Sequence, residues 1–358
     1  MRCAVACALP GSRWNEREFQ FLLLVIPAEA GIQFLILLVN RKNWIPGSAF
    51  GGPGMTICSE VPYPNSPLKA EMADALPHSL LNGVIVATVD ARISPLDRGF
   101  LFGDGIYEVV PVYCGKPFRL DAHFDRLHDG LAALEITNPY SRARWAELVH
   151  DLIVANHGGD MGVYLEVSRG AGKGRDFLPE PGMQPTVFGF CWRLVAPKPE
   201  LLARGISATT LEDIRWQRCD IKSVALVGPV MLKIEARRRG ADEAILVRGE
   251  RLAEGSSSAV FVVRNGRIAT PPAGHERLPS ITRLVVGDVL DALKLPLNVR
   301  EVRRDELLTA DEIWIASSTR EALPVTSLDG KVVGEGKPGP VWRRVFDEFQ
   351  ALKQREAD

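Results

Sequence analysis

From about His78 to the end of the chain, segments typical of strands and of helices follow one another without the strict strand–helix alternation of a doubly wound sheet. Runs of β-branched residues bounded by turns such as Asn82-Gly83 predict the strands. Apolar residues at helical spacing predict helices within 122–135, 142–156, 228–239, 281–295 and 341–354. The interleaving predicts an α+β fold with two α/β subdomains rather than a Rossmann sheet.

Local signals give sharper expectations at three points. Asp121 stands where an N-cap belongs before the first of these helices, and Ser280 stands in the same position before the helix that begins with ITR. The run EAILVRGERLAEGSSSAVFVVRNGRIATP predicts three strands, with turns at 248–250 and 265–266.

The first seventy residues differ from the rest. The run 19–39 is apolar with one charge, Glu29, so a membrane anchor is one alternative, but Pro27 weakens a spanning helix. Two segments among the first seventy residues, VIPAEAGIQ and WIPGSAFGGPGM, resemble translated intergenic palindromic repeats. This resemblance implies an over-extended reading frame with Met72 as the start. We expect residues 1–75 to be a disordered or spurious extension.

A stiff, polar stretch at 196–200, APKPE, is typical of a domain linker. It suggests a small N-terminal α/β domain over 79–194 and a larger C-terminal α/β domain over 203–358. The linker itself is assigned to 195–202.

Charge and cysteine content limit the environment and the partners. The 43 basic and 44 acidic side chains give a net charge of −1, which argues against a protein held by bulk charge on nucleic acid or on an anionic membrane. The six cysteines form no CxxC pair and are too few for a disulfide framework. We therefore expect reduced thiols, a cytoplasmic location and no structural metal.

Two motifs suggest chemistry, although each has an ordinary structural alternative. In EDIRWQRCDIKS, Lys222 is either an exposed lysine at a sheet edge or a buried amine that can form a Schiff base. In LAEGSSS, Glu254 lies either in a polar hairpin corner or in a site where its carboxylate faces a cofactor nitrogen. Neither motif decides between its alternatives by itself.

Taken together, long runs of the sequence resemble one known family. They are DRGFLFGDGIYEVVPVY, HFDRL, EDIRWQRCDIKS, EAILVRGERLAEGSSSAVF, ITR and DEIWIASSTREALPV. The region from about Leu80 to Gln354 resembles the fold-type IV pyridoxal-phosphate aminotransferases, and within them the D-amino-acid aminotransferases. The resemblance implies two α/β subdomains with the cofactor between them.

The resemblance also implies roles for individual residues. Lys222 matches the lysine that binds pyridoxal 5'-phosphate and moves the proton at the substrate Cα, and Glu254 matches the partner of the pyridinium nitrogen. Tyr107 matches a tyrosine beside the substrate. The residues matching those that hold the phosphate or pack near the ring are Arg126, Ser257, Ile281, Thr282, Ser317, Ser318 and Thr319.

The loop after the VSRG strand departs from the family pattern. D-amino-acid aminotransferases carry an RxH pair there, which holds the substrate carboxylate across the dimer interface; here Gly174 and Asp176 occupy those positions. An aspartate repels a carboxylate. Either the neighbouring Arg175 takes over, or the carboxylate is held elsewhere, or the amino donor lacks one.

The predicted activity is a ping-pong exchange of an amino group between a D-amino acid, such as D-alanine, and a 2-oxo acid, such as 2-oxoglutarate or pyruvate, catalysed by a homodimer. Alternatives within the fold are transaminases of (R)-amines or of branched-chain L-amino acids, and lyases of the aminodeoxychorismate type. A cofactor-binding protein without activity is a further alternative, against which the retention of Lys222 and Glu254 argues. No nucleic-acid or membrane partner is expected.

Overall fold

The computed structural model describes residues 19–28, 31–40 and 74–357. Within the first two ranges, β1 (Phe19–Ala28) and β2 (Gly31–Asn40) pair antiparallel. None of the helices in the described ranges is long and apolar enough to cross a membrane. The other residues up to 73, including Met72, lie outside the described residues, so the status of the extension stays a prediction.

Residues 74–357 form a compact unit with two sheets. The first is six-stranded, in the order β4-β3-β8-β7-β5-β6, and its neighbours are all antiparallel. Its strands are β3 (Ala75–Leu81), β4 (Val84–Ala87), β5 (Gly105–Tyr113), β6 (Lys116–Pro117), β7 (Met161–Ser168) and β8 (Thr186–Arg193). The predicted turn at Asn82-Gly83 is confirmed, with φ of 48° and 84°.

Helices α2 (Leu120–Ala133) and α3 (Arg142–Ala155) pack on one face of this sheet. The short helix α1 (Arg98–Phe102) precedes β5, and its Gly99 lies beside Ser168 and Glu166. In β5 the buried Ile106 and Glu108 alternate with the half-buried Tyr107, which points to the opposite face. Gly130 allows α2 to approach closely, because a Cβ there would lie 3.1 Å from Ile106 Cγ2.

The second sheet has nine strands, in the order β11-β10-β9-β16-β15-β12-β13-β14 with β17 beside β16. Its strands are β9 (Ile206–Glu212), β10 (Glu243–Arg248), β11 (Arg251–Gly255), β12 (Ala259–Arg264), β13 (Arg267–Thr270), β14 (Leu297–Val299), β15 (Glu312–Ser317), β16 (Glu321–Leu328) and β17 (Lys331–Val332). The prediction of three strands between 243 and 271 was wrong. A turn closed by Gly255 N donating to Ser258 O at 2.7 Å divides the run further, so it contains four.

Helices pack against this second sheet. They are α4 (Pro199–Arg204), α5 (Val227–Arg238), α6 (Ile281–Ala292), α7 (Arg304–Leu307) and α8 (Pro340–Ala357). Buried residues of α6 and α8, such as Val285 and Trp342, share a core with Phe261 and Trp314 of the sheet. The Ser280 cap is confirmed, since its Oγ accepts from Arg283 N at 3.2 Å. The mixture of two sheets and flanking helices confirms the predicted α+β class.

The predicted Asp121 cap is wrong. Helix α2 begins at Leu120, and its N-cap is Arg119, which has a φ of 55° and makes no side-chain capping bond. Phe118 N donates to Pro111 O at 2.8 Å, which closes the preceding hairpin and fixes the entry of the helix. Asp121 instead accepts from Arg142 Nη1 at 2.9 Å.

Candidate active site

Lys222 lies on the segment between β9 and α5, and its backbone is joined to β5. Tyr107 N donates to Lys222 O at 3.0 Å, and Val224 N donates to Gly105 O at 3.1 Å. Lys222 Nζ lies 4.1 Å from the centroid of the Tyr107 ring, which is a cation–π distance. The two hydrogen bonds therefore fix a half-buried amine over an aromatic ring at the edge of the first sheet.

Tyr107 belongs to a polar and aromatic sheet face. Its ring stacks on that of Tyr164, with centroids 5.6 Å apart, and its register partner across the β5–β7 pair is Glu166. A cleft of about 360 Å³ opens on this face. The residues lining it include Asp97, Gly99, Tyr164, Glu166, Thr186 and Val224.

Glu254 is a buried carboxylate at the end of β11. It is 7% exposed, accepts from Arg215 Nη1 at 2.5 Å, and lies 3.3 Å from Leu278 N. Burial raises the pKa of Glu254, and the Arg215 charge opposes that rise. Arg215 is fixed in turn by Asp213, which accepts from its Nε and Nη2 at 2.9 Å. The segment 213–223 thus contacts Glu254 through Arg215 and Tyr107 through Lys222.

Arg126 and the start of α6 form a cradle suited to an anion. Arg126 is 7% exposed, and its Nη1 donates to Pro279 O at 2.8 Å, which places the guanidinium beside the first turn of α6. Within the described part of the chain, the amides of Ile281 and Thr282 donate to no protein acceptor, as expected for the first turn of a helix. Ser318 lines a small cavity together with these two residues. Free N–H groups, a helix N-terminus and a cation favour a phosphate.

Glu108 orients Arg126 and was missed as a site residue in the sequence. Arg126 Nε and Nη2 donate to its two carboxylate oxygens, each at 2.7 Å, and His123 Nδ1 is hydrogen bonded to it at 2.7 Å. Burial raises the pKa of the Glu108 carboxyl, but the charge of Arg126 lowers it by more. The pKa of Glu108 therefore lies well below its usual range. Strand alternation was the available signal, since it places Glu108 on the face toward α2, opposite Tyr107.

Arg320 joins the two serine-rich turns of the site and was also missed. It donates through Nε to Ser317 Oγ at 3.3 Å and through Nη2 to Ser257 Oγ at 3.2 Å. The same Nη2 lies 2.5 Å from Glu243, a fully buried carboxylate whose pKa is about 2 because Arg320 and Lys233 outweigh the effect of burial. Arg320 therefore fixes the spacing between the turn after β11 and the turn after β15, where Ser318 and Thr319 follow.

Arg175 lies on the exposed loop between β7 and β8. Its Cζ is 5.5 Å from the ring centroids of both Phe102 and Phe177, and it makes no hydrogen bond or ion pair within the part of the chain that the structure describes. Arg98 anchors the loop by donating to Asp176 O at 2.6 Å and to Phe177 O at 2.8 Å. Gly174 is on the same loop and supplies no side chain. Two cations on this loop are exposed among the described residues: Arg175, and Lys173, whose Nζ lies 3.8 Å from Glu180 Oε2.

The site and the two sheets define a class of protein: the chain belongs to the class IV aminotransferases, whose family model matches residues 105–328. It is an aminotransferase, and the family expected from the sequence is confirmed. A D-alanine aminotransferase of Bacillus licheniformis is 39% identical over 271 residues, which are 76% of this chain and 95% of that protein. A D-alanine aminotransferase of Staphylococcus haemolyticus is 36% identical over 269 residues, covering 75% of this chain and 95% of that one.

Solved structures agree on the fold. The branched-chain amino acid aminotransferase of Escherichia coli has a TM-score of 0.74 at 26% identity, covering 79% of this chain and 96% of that one. The branched-chain amino acid aminotransferase of T.th., solved with pyridoxamine 5'-phosphate, has a TM-score of 0.75 at 25% identity and covers 78% and 95%. The class IV fold predicted from the sequence is thereby confirmed.

Proposed function

We propose that this chain is a pyridoxal 5'-phosphate-dependent transaminase that passes the amino group of a D-amino acid, such as D-alanine, to a 2-oxo acid, such as 2-oxoglutarate or pyruvate. The observation that carries the proposal is the amine of Lys222 held 4.1 Å from the Tyr107 ring centroid in a class IV chain. The similarity to D-alanine aminotransferases, at 39% and 36% identity, favours the D-amino acid over other donors.

The residues present fit pyridoxal 5'-phosphate. Arg126 with the free amides of Ile281 and Thr282 suits the phosphate, and the buried Glu254 suits a protonated ring nitrogen. The hydroxyl of Ser258, in the turn after β11, is buried and has no hydrogen-bond partner among the described residues. We assign Ser257, Ser317, Ser318 and Thr319 to the walls of this cofactor site.

The chemistry divides between the cofactor and the chain. When bound, pyridoxal 5'-phosphate supplies an aldehyde for the Lys222 amine and a ring that accepts the electron pair left when the substrate Cα–H bond breaks. Lys222 then holds and moves the proton released at the substrate Cα. Glu254 would hold the protonated ring nitrogen of the cofactor, and Tyr107 would form the wall of the site next to the amine. Two such half-reactions at one site give ping-pong kinetics.

The site draws on both sheets, which supports the two domains proposed at 79–194 and 203–358 with a linker at 195–202. Tyr107 and Arg126 lie in the proposed N-terminal domain, and Lys222 and the start of α6 lie in the proposed C-terminal domain. Helix α4 begins inside the proposed linker, at Pro199. We place the enzyme in the cytoplasm, since Cys114, Cys191 and Cys219 are free thiols.

A panel of donors tests the proposed activity. With 2-oxoglutarate as acceptor, we expect the kcat/KM of D-alanine to exceed those of L-leucine and (R)-1-phenylethylamine by at least about tenfold, a difference of roughly 1.4 kcal/mol in transition-state binding. Initial rates of the holoenzyme, measured by the appearance of the oxo product from each donor, give the comparison.

Other outcomes of the panel contradict the proposal in distinct ways. Faster turnover of L-leucine would make the chain a branched-chain enzyme, like the solved neighbours at 25–26% identity. Preference for (R)-1-phenylethylamine would make it an amine transaminase. Pyruvate released from aminodeoxychorismate without an acceptor would make it a lyase, and cofactor binding without turnover of any donor would make it a silent binding protein.

We further propose that the enzyme is a homodimer in which the loop carrying Arg175 completes the site of the partner subunit. Large apolar side chains next to this loop are exposed in the single chain, namely Phe100 (78%), Phe177 (75%) and Leu178 (78%). An apolar patch of this kind marks an interface. Arg98 fixes the loop backbone, so Arg175 is presented on a defined support.

Arg175→Ala should lower kcat/KM for D-alanine and for the 2-oxo acid by roughly 10- to 100-fold, as for loss of a hydrogen bond to a charged group. Lys173→Ala, whose side chain is 92% exposed on the same loop, serves as the control and should leave both values unchanged. An unchanged kcat/KM in Arg175→Ala would show that the carboxylate is held elsewhere.

Mixing two impaired variants tests the shared site. In a heterodimer of Arg175→Ala with Lys222→Ala, one of the two sites keeps both residues, so random assortment of subunits should restore about a quarter of the wild-type activity. Activity that stays at the sum of the two separate variants would place Arg175 in the site of its own chain.

A further inference from the structure

The cleft beside Tyr107 is acidic. Among the described residues that line it, Asp97 and Glu166 are carboxylates, and none is lysine, arginine or histidine. The remaining polar groups are hydroxyls, such as those of Tyr164, Ser168 and Thr186. Its volume of about 360 Å³ falls in the range of small-molecule sites.

The two carboxylates differ in their hydrogen bonding. Asp97 is satisfied by the protein, because Oδ1 accepts from Gly99 N at 2.8 Å and Oδ2 accepts from Thr186 Oγ1 at 2.6 Å. Glu166 uses only Oε2, which accepts from the Tyr164 hydroxyl at 2.7 Å. Within the described residues, Oε1 of Glu166 has no hydrogen-bond partner. A cationic group brought to this oxygen would therefore gain a partner at small cost to the protein.

We propose that Glu166 is a specificity-determining residue that selects amino donors whose side chain ends in an ammonium group. This inference rests on the proposed transaminase function and names the class of D-amino acid that the site prefers. The occupant is a basic D-amino acid with a short stem, such as D-ornithine.

The position of Glu166 relative to the reacting centre supports this assignment. Glu166 and Tyr107 are directly opposite each other on one sheet face, where paired Cβ atoms lie about 5 Å apart. The Tyr107 ring lies 4.1 Å from the amine of Lys222, and the substrate Cα must come within reach of that amine. An extended stem of three methylenes carries its terminal ammonium roughly 5 Å from Cα, which suits a donor that starts over Tyr107 and ends at Glu166.

Charge provides the selection. Burial raises the pKa of Glu166, so a neighbouring cation relieves an unfavourable site for its negative charge. The attraction between an ammonium and the Glu166 carboxylate is offset in part by the desolvation of the ammonium. A donor of the same shape with a methyl in place of the ammonium lacks this attraction and leaves Oε1 unpaired.

The experiment compares D-ornithine with D-norleucine, whose stem is the same but ends in a methyl group. In the wild-type holoenzyme, we expect kcat/KM to be at least about tenfold higher for D-ornithine. Glu166→Gln keeps the shape of the side chain and an oxygen for Tyr164, and it should reduce this ratio to about one to two. Glu147→Gln, an exposed carboxylate on α3, is the matched control and should keep the wild-type ratio.

The outcomes separate this inference from the proposed function. A wild-type ratio at or below one, or a ratio that Glu166→Gln leaves unchanged, overturns the role of Glu166 even where D-alanine is a good donor. Failure of D-alanine, D-ornithine and D-norleucine together overturns the proposed transaminase activity. Because the ratio is measured within each variant, a general loss of activity in Glu166→Gln does not affect its interpretation.

Discussion

Lys222→Ala is expected to slow the half-reaction with D-alanine by at least about ten-thousandfold and to abolish the visible absorbance that a bound lysine gives the cofactor. The reason is that one amine both anchors the cofactor and moves the proton at the substrate Cα. Its position is set by the backbone bond between Tyr107 N and Lys222 O, at 3.0 Å, which the substitution leaves in place. Stopped-flow absorbance of the holoenzyme mixed with D-alanine measures the rate.

Two controls separate the chemical role of Lys222 from a structural one. Lys222→Arg keeps a cation over the Tyr107 ring but cannot form an imine, so it should be as slow as Lys222→Ala at an unchanged melting temperature. A small primary amine, such as methylamine, should restore part of the rate to Lys222→Ala, because it can replace the missing base. Lys331→Ala, exposed on β17, should behave as wild type. Near-normal turnover in Lys222→Ala would remove the basis of the proposed mechanism.

Local sequence signals predicted the elements whose determinants are themselves local. The Ser280 cap bonds an amide three residues ahead, and Asn82-Gly83 fits the positive φ angles of a two-residue turn, so both could be recognised without the rest of the chain. The Asp121 cap failed because a hairpin bond from Phe118 N to Pro111 O fixes where α2 begins. The residues next to Asp121 in the sequence do not reveal that hairpin bond.

The charged network of the candidate site depends on pairs that are distant in sequence. Glu108 and Arg126 are on a strand and a helix, and Arg215 meets Glu254 across 39 positions. Arg320 is further still from Glu243, 77 positions away. No spacing rule pairs such residues, so the sequence could indicate Arg126 and Glu254 only by resemblance to a family. Their partners, Glu108 and Arg215, could be identified only from the folded structure.

The partners of Glu254 show why its charge matters. The guanidinium of Arg215 holds the buried carboxylate of Glu254 in place, and Arg215 is in turn paired with Asp213. Arg248 Nε also donates to Asp213, at 2.9 Å, so these four side chains are neutral overall. Among the described residues, Glu254 Oε2 has only Leu278 N near it, at 3.3 Å, and can accept from an additional positive N–H. That arrangement suits a ring nitrogen that must stay protonated while electrons move into the ring.

Glu254→Gln is accordingly expected to lower kcat for D-alanine by on the order of a hundredfold to a thousandfold, as for other buried electrostatic groups in active sites. The amide oxygen can still accept from Arg215, so folding should be retained while the negative charge is lost. Glu276→Gln is the matched control, because its backbone oxygen already bonds Arg215 whereas its side chain faces Arg251 and Arg277. Single-turnover rates and a thermal melt of each variant measure the effect. An equal loss in both variants, or none in Glu254→Gln, would show that the carboxylate of Glu254 contributes structure and not catalysis.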